Sequence, residues 1–340
     1  AKRRGNRHSP AACFRPDKRD ACPTGICFRP RARYDRGVSL LRTQIGPVPP
    51  RHRARALRRL GGGTGAWDRE DRPCLLWWAR RAMRTMAVAM IVADRGGTGF
   101  LLHTPLGVVG SPRETLVALI GALSRAALAG FVRIVQALPS PSDAAEIEIL
   151  HAAGFARLTE LVYMRLDLAL ARPFVDSPAV QWRAYGQFTD DELGALIART
   201  YRGSLDCPEL CGVRAVADVV AGHKTSGAFR PEAWWIAQRD GESAGCVLVN
   251  DSPATGEADV VYVGVAPEHR GTGLCGQMLR RAADQALQRG AAALTLAVDV
   301  RNEPARKVYQ HEGFRPTQRR VAFVMHNGSD TPKEQVVGEM

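Results

Sequence analysis

Two apolar periods alternate along residues 86–340. Residues 259–265 (DVVYVGV) are rich in β-branched and aromatic side chains, which suit a buried strand, and Pro267 then removes a ladder donor. From Gly273 the pattern changes: Leu274, Met278, Leu279, Ala282, Ala283, Ala286 and Leu287 recur at helical spacing, and Gly290 sits where a helix C-cap favours a left-handed residue. Upstream, Thr189 with Glu192 three residues on forms a capping box that opens a helix with Leu193, Leu196 and Ile197 on one face. A short helix is predicted about 213–221. Strands at 234–237 and 243–249 flank Asp240-Gly241, a hairpin signal. Downstream come a strand at 292–298, a short helix at 302–311 and a last strand near Val321. The order is α, α, β-hairpin, β, α, β, α, β.

The end of this array has an echo. Leu150-His151-Ala152-Ala153-Gly154-Phe155, followed by a strand at 161–168, matches Tyr309-Gln310-His311-Glu312-Gly313-Phe314 and its strand. The Gly-Phe pairs, at 154–155 and 313–314, lie a whole domain length apart. A spacing this long points to duplicated domains rather than a solenoid, with coincidence of one Gly-Phe pair as the alternative. The predicted division is a basic extension at 1–85, a first half at 86–172, a linker at 172–178, a second half at 180–326 and a tail at 327–340.

Charge sharpens that division. The net charge of +13 over 340 residues divides into +16 for residues 1–85, with 22 Lys+Arg against 6 Asp+Glu, and −3 for the remainder, with 25 against 28. The extension repeats Cys-Phe-Arg-Pro at 13–16 and 27–30, lacks periodicity, and carries Pro, Gly and Arg clusters at 47–59 and 61–63. Such composition buries too little apolar surface to offset chain entropy, so disorder is expected. Two readings stand: a basic targeting or RNA-binding arm, through which alone nucleic acid would be met, or an upstream extension with Met86 near the natural start. The eight cysteines form no metal or disulfide framework. Reduced, cytoplasmic thiols are expected. Arg125 interrupts the apolar run at 116–132, so a buried helix is expected there and no membrane span.

Between the central strand and its helix lies Arg270-Gly271-Thr272-Gly273-Leu274-Cys275-Gly276. Glycines let successive backbone N–H groups approach an anion, and the helix N-terminus adds partial positive charge, so this turn suits a phosphate or pyrophosphate. The P-loop pattern is absent, as is the βαβ repeat with an acidic residue that a dinucleotide site requires. What stands instead is V-x-V-x-P-x-x-R-x-x-G, with Val263, Val265, Pro267, Arg270 and Gly273 in place. It resembles the acyl-CoA pyrophosphate motif of the GNAT superfamily of N-acyltransferases, with Cys275 where that family usually has Gly or Ala. Asn302, Ala305, Tyr309, Gly313 and Phe314 match the family's longer N-x-x-A-x-x-x-Y-x-x-x-G-F pattern. The resemblance covers about 180–326 and implies an α/β fold with a mixed, mostly antiparallel sheet flanked by helices. The first half would be a degenerate copy: Leu150 replaces the tyrosine, and 98–110 lacks the R-x-x-G-x-G turn.

The resemblance further implies acetyl-CoA as co-substrate and direct transfer to an amine. Val263, Gly264, Val265, the 270–276 turn and Asn302 would hold acetyl-CoA. A backbone N–H near Val265 would polarise the thioester if the strands splay, and Gly264 hints at a bulge there. Tyr309 would protonate the departing thiolate. A protonated amine must also lose a proton, and Asp259, where the tandem mycothiol synthases carry an acidic residue, is the candidate base, with Glu257 two residues away on the same face. Asp206 and Glu209, in the segment from Tyr201 to Glu209, are candidates for holding the amine. A thiol-sugar amine, a protein N-terminus and an antibiotic amine all remain open as acceptor. A noncatalytic acyl-CoA-binding or regulatory protein is the competing reading, and retained Tyr309 favours the enzyme.

Overall fold

The computed structural model describes residues 43–60, 73–82, 84–106, 112–253 and 255–327. The first half holds β1 (Thr43–Pro47), α1 (Arg53–Leu57), β2 (Cys74–Arg81), β3 (Arg84–Ala93), β4 (Thr98–His103), α2 (Arg113–Gly130), β5 (Ile134–Ala137), α3 (Ala144–Ala153) and β6 (Ala156–Asp167). The second holds β7 (Gln181–Ala184), α4 (Asp190–Tyr201), α5 (Val216–Thr225), β8 (Trp234–Arg239), β9 (Glu242–Asp251), β10 (Ala258–Val265), α6 (Leu274–Gln288), β11 (Ala293–Asp299), α7 (Glu303–His311) and β12 (Arg315–His326). All the described strands join one sheet in the order β1-β2-β3-β4-β5-β12-β6-β11-β10-β9-β8-β7. Among them only β4·β5 and β10·β11 are parallel pairs.

The local chemistry explains the elements. Thr189 Oγ1 accepts the Glu192 N–H and Glu192 accepts the Thr189 N–H, a closed capping box at the start of α4. Asp240 and Gly241 take left-handed φ of 51° and 80°, the turn that lets β8 and β9 form a hairpin. Alternation then divides the faces of the sheet. Trp234, Ile236, Cys246 and Leu248 pack with α4 and α5, while Ala237, Val247 and Val249 pack with α6.

The repeat extends beyond the two Gly-Phe pairs. Helix α3 opens at Ala144 and α7 at Glu303, and β6 runs Ala156–Asp167 as β12 runs Arg315–His326, so helix starts and both strand ends keep one constant offset. The final strands are exchanged between halves. β6 pairs with β11 of the second half, β12 pairs with β5 of the first, and β6 and β12 pair with each other at the centre.

Three expectations are corrected. The folded unit does not start near 86, because β1 and β2 extend the sheet beyond β3, and Ala56 and Leu57 of α1 are buried against Val88, Met90 and Val92. The Arg-rich sequence hid a small apolar face, and the run Leu75-Leu76-Trp77-Trp78 is strand. Nor do 86–172 and 180–326 stand apart as domains, since the exchanged strands make one continuous sheet. Finally, the bulge in β10 lies between Val260 and Tyr262; Gly264 pairs regularly with Cys246. Glycine is required at 264 for a different reason: a Cβ there would come within 2.8 Å of both the Thr200 and Tyr262 hydroxyl oxygens. The repeated fragment at 13–16 and 27–30, the glycines at 61–63, and nearly all of the tail lie outside the described residues.

Candidate functional site

β10 and β11 are paired only at Ala258↔Leu294 and Asp259↔Thr295. Beyond those positions the two strands are no longer paired, and a cleft of about 710 Å³ lies beside β10. Val263, Gly264 and Val265 line one wall, the 270–276 turn closes one end, and Asn302 and Tyr309 come from the α7 side. The structure thus brings together most of the residues singled out for acetyl-CoA. Thr272 is the exception within the turn: it does not line the cleft, and its hydroxyl donates to the His269 carbonyl at 2.7 Å.

The turn has the geometry that suits an anion. Gly271 and Gly273 hold φ of 74° and 79°, where a side chain is strained, and a Cβ on either would meet no protein atom within 4 Å. Gly273 caps α6 without a side-chain hydrogen bond, so the first-turn N–H groups of Leu274, Cys275 and Gly276 face outward from a helix of 15 residues. Arg270 serves the turn from behind. Its guanidinium donates to the carbonyls of Val265, Gly203, Thr200 and Arg202, the last two at 2.9 and 2.8 Å, which satisfies the carbonyl end of α4 and ties it to the turn. Cys275 is packed into the core under the cleft, and burial pushes its thiol up to about 12, so it stays a neutral S–H.

Asn302 caps α7 by accepting the Ala305 N–H at 3.3 Å, which orients the helix that carries Tyr309. Tyr309 is 6% exposed and lies in the cleft. Burial raises its phenol well above the ordinary 10, and nearby Cys275 and Asp206 raise it further, so at neutral pH it holds its proton and can donate it. Gly276 answers to a neighbour as well as to the turn: a Cβ there would come within 2.6 Å of Glu312, which Arg280 holds through both carboxylate oxygens.

The acidic candidates separate. Neither Asp259 nor Glu257 lines the cleft. Asp259 accepts the Thr295 hydroxyl at 2.9 Å where β10 and β11 are still paired, and burial followed by the nearby Glu257 raises its carboxyl. Glu257 precedes β10 rather than sharing its face, and it is ion-paired with Arg165 of β6 at 2.8 Å. Glu209 also stays outside the cleft, held by both terminal nitrogens of Arg301, whose hydrogen bonds lower its carboxyl below the usual range. Asp206 and Tyr201 do line the cleft. Asp206 accepts the Asp299 N–H at 2.9 Å, and burial raises its carboxyl.

Sequence reasoning missed two groups here. Tyr262 of β10 lines the cleft with its hydroxyl 2.5 Å from Thr200 Oγ1, and its ring packs against Tyr201 at 6.0 Å and His223 at 5.3 Å. Asp299 is fully buried; its carboxylate accepts the Thr159 hydroxyl at 2.7 Å, the Cys207 N–H at 3.2 Å and the Arg301 guanidinium. The bulge in β10 puts adjacent Val261 and Tyr262 against the same cluster, so alternation does not mark Tyr262, and nothing local names the partners of either residue.

Residues 212–314 match the family model described as Acetyltransferase (GNAT) family. Among curated proteins, the chain is 35% identical over 179 residues to a mycothiol acetyltransferase of Acidothermus cellulolyticus, covering 48% of this chain and 53% of that protein. It is 30% identical over 181 residues to one from Beutenbergia cavernae, covering 50% and 59%. The chain thus spans a little over half the length of the curated relatives it matches. Among solved structures, a GCN5-related N-acetyltransferase from Sphaerobacter thermophilus aligns at TM-score 0.53 and 16% identity, over 84% of this chain and 95% of that one. A tandem GNAT protein from the clavulanic acid biosynthesis pathway aligns equally well, at TM-score 0.53 and 16% identity, over 84% and 98%. At these identities the likeness is one of fold. Among the described residues no helix is long and apolar enough to cross a membrane, and no group of three or more His, Cys, Asp or Glu is placed to hold a metal.

Proposed function

We propose, from the match of residues 212–314 to the GNAT acetyltransferase family model, that the protein transfers an acetyl group from acetyl-CoA to a primary amine by direct attack in a ternary complex. The observation that carries the reading is the pairing, in one cleft, of a glycine turn whose helix has no side-chain cap with a buried, protonated Tyr309. A protein that merely held acyl-CoA would need the turn but has no use for a desolvated phenol in the same cleft.

The turn fits acetyl-CoA by chemistry. Outward-facing N–H groups and a helix N-terminus suit a pyrophosphate, and the space beside Gly271 and Gly273 leaves backbone as the contacting surface. Where β10 is no longer paired with β11, its inner edge offers N–H groups near Val265 to a polarised carbonyl. Nitrogen attacks the acetyl carbon, the C–N bond forms as the C–S bond breaks, and the electron pair left on sulfur takes the Tyr309 proton. Cys275 does not compete as a nucleophile, because a thiol raised to about 12 has almost no thiolate at neutral pH. The acceptor class proposed is a small-molecule amine, with the amine of a thiol-sugar tested first because the relatives just described are mycothiol acetyltransferases.

Calorimetry with acetyl-CoA on the full chain, followed by a thiol-release assay over a panel of amino sugars, aminoglycosides and short peptides, tests the reading. Binding with amine-dependent thiol release is expected. Binding without release for any amine would favour an acyl-CoA-binding protein, and absence of binding would remove the reading altogether.

A further inference from the structure

Among the described residues two carboxylates line the cleft, Asp206 and Glu312. Glu312 is 3% exposed and fully engaged by Arg280 at 3.0 and 3.2 Å. Asp206 has no ion pair among the described residues. One of its oxygens accepts the Asp299 N–H, and it is close enough to Tyr309, Tyr201 and Tyr262 for its charge to act on all three phenols. It therefore shares the cleft with all three phenols, whereas Asp259 does not line the cleft at all.

The loop around Asp206 is fixed from beneath. Cys207 is held at φ 46°, a left-handed conformation that a non-glycine residue keeps only when its surroundings enforce it. The enforcing group is Asp299, whose buried carboxylate accepts the Cys207 N–H while its own N–H donates to Asp206. Arg301 bridges Asp299 and Glu209 and so balances the buried charge. The Arg301 backbone N–H adds a bond to Asp299 at 2.8 Å, and a further donor comes from the other half of the protein: Thr159, on β6, donates its hydroxyl at 2.7 Å. The strand exchange described above is what brings β6 beside β11.

Resting on the acetyl-transfer reading, we infer that Asp206 takes the proton from the acceptor's ammonium group, and that Thr159 of the first half positions it through Asp299. The ammonium proton passes to the Asp206 carboxylate, leaving the neutral amine. The amine attacks, sulfur leaves with the Tyr309 proton, and the second proton shed by nitrogen as the amide forms restores the phenol. Asp206 then releases its proton to solvent, so the cycle yields one amide, one free thiol and one proton. The groups bearing on Asp206 are Asp299 and Arg301 around β11, Cys207 and Glu209 in its own loop, Tyr201 from α4, Tyr262 from β10 and Tyr309 from α7. Burial first and the Asp299 charge after it raise the carboxyl above the ordinary 3.8, so a base there fails as pH falls through a value higher than a free carboxylate would show.

The test measures kcat and kcat/KM against pH on the full chain, with acetyl-CoA and the amine of highest turnover in the panel. Wild type should lose activity on the acid side above the ordinary carboxylate range. Asp206→Asn should lower kcat by about 100-fold or more and abolish that acid limb, while acetyl-CoA affinity by calorimetry is unchanged. Thr159 is a positioning residue: Thr159→Val should lower kcat and shift the acid limb upward, because Asp299 with one donor fewer presses harder on Asp206, and Thr159→Ser should restore both. A carbon-13 titration of the wild-type aspartate carboxyls gives a readout that needs no variant to fold, and a carboxyl at 206 titrating at or below 3.8 would overturn the inference. So would Asp206→Asn with wild-type kcat and an intact acid limb, or Asp259→Asn removing the limb in its place. Failure of the full chain to bind acetyl-CoA would instead bring down the acetyl-transfer reading, and this inference with it.

Discussion

At residue 309 a phenol on α7 lies in an open cleft; at the equivalent place on the matching helix α3, Leu150 is sealed in the core at 0% exposure. The helices around these two residues are otherwise alike. Asp143 caps α3 by accepting the N–H of Glu146, as Asn302 caps α7 by accepting that of Ala305. Each helix ends in a left-handed glycine, Gly154 at φ 97° and Gly313 at φ 96°, followed by a buried phenylalanine. The parallel strand pair persists as well, β4 with β5 and β10 with β11. Packing and capping have therefore been kept in both halves, while the groups that would do chemistry stand in one. A fold of this kind is held by its caps and apolar faces, and its site by a handful of polar groups that those faces merely orient.

The contrast is sharpest at the two matched helix positions. Tyr309→Phe should reduce kcat by about 100- to 10,000-fold with acetyl-CoA affinity unchanged, because one hydroxyl is removed and the packing is kept. Leu150→Tyr should confer no activity. Turnover and calorimetry on both variants check this, and a Tyr309→Phe enzyme at wild-type kcat, with chemistry rate-limiting, would exclude the phenol as acid. Next in size, Leu150→Ala should lower stability by about 2–5 kcal/mol in a denaturant titration, the usual cost of emptying a buried leucine site, and leave kcat of the folded enzyme alone. Smaller again, Gly273→Val should cost roughly 1–2 kcal/mol of stability, the cost of a side chain at left-handed φ, and should weaken acetyl-CoA binding by more than it harms folding, as calorimetry and denaturant titration would show. No protein atom lies within 4 Å of a Cβ there, so the obstruction falls on whatever approaches from outside.

What could be read from the sequence was whatever is written locally. The capping box of Thr189 and Glu192, the Asp240-Gly241 hairpin and the apolar stripe of α6 each lie within one turn or one element, and the structure has them as expected save Leu287, which is exposed. The echo between the halves was legible because caps and Gly-Phe pairs repeat in kind. The unread parts depend on distant partners. Five helical residues at Arg53–Leu57 carry two buried side chains, too few to show a period amid arginines. Glu209 looks like a free loop carboxylate until Arg301, 92 residues away, is seen to claim it. Asp299 reads as a strand end, yet it joins Thr159 of one half to the Cys207 amide of the other. The bulge was misplaced because glycine in a strand signals close approach as readily as irregular pairing, and at Gly264 it is two hydroxyls that approach.

The position of β12 has a consequence for how the chain is made. The last of the described strands to be synthesised lies at the middle of the sheet, with β5 on one side and β6 on the other, so contacts of very long range are also the most central. Until residue 326 has emerged from the ribosome, β5 and β6 each present an open edge, and neither half can complete its sheet from its own strands. Pairing across such distances is slow, since loop closure must precede any contact that rewards it. The topology therefore leaves two sheet edges, on β5 and on β6, that β12 alone closes.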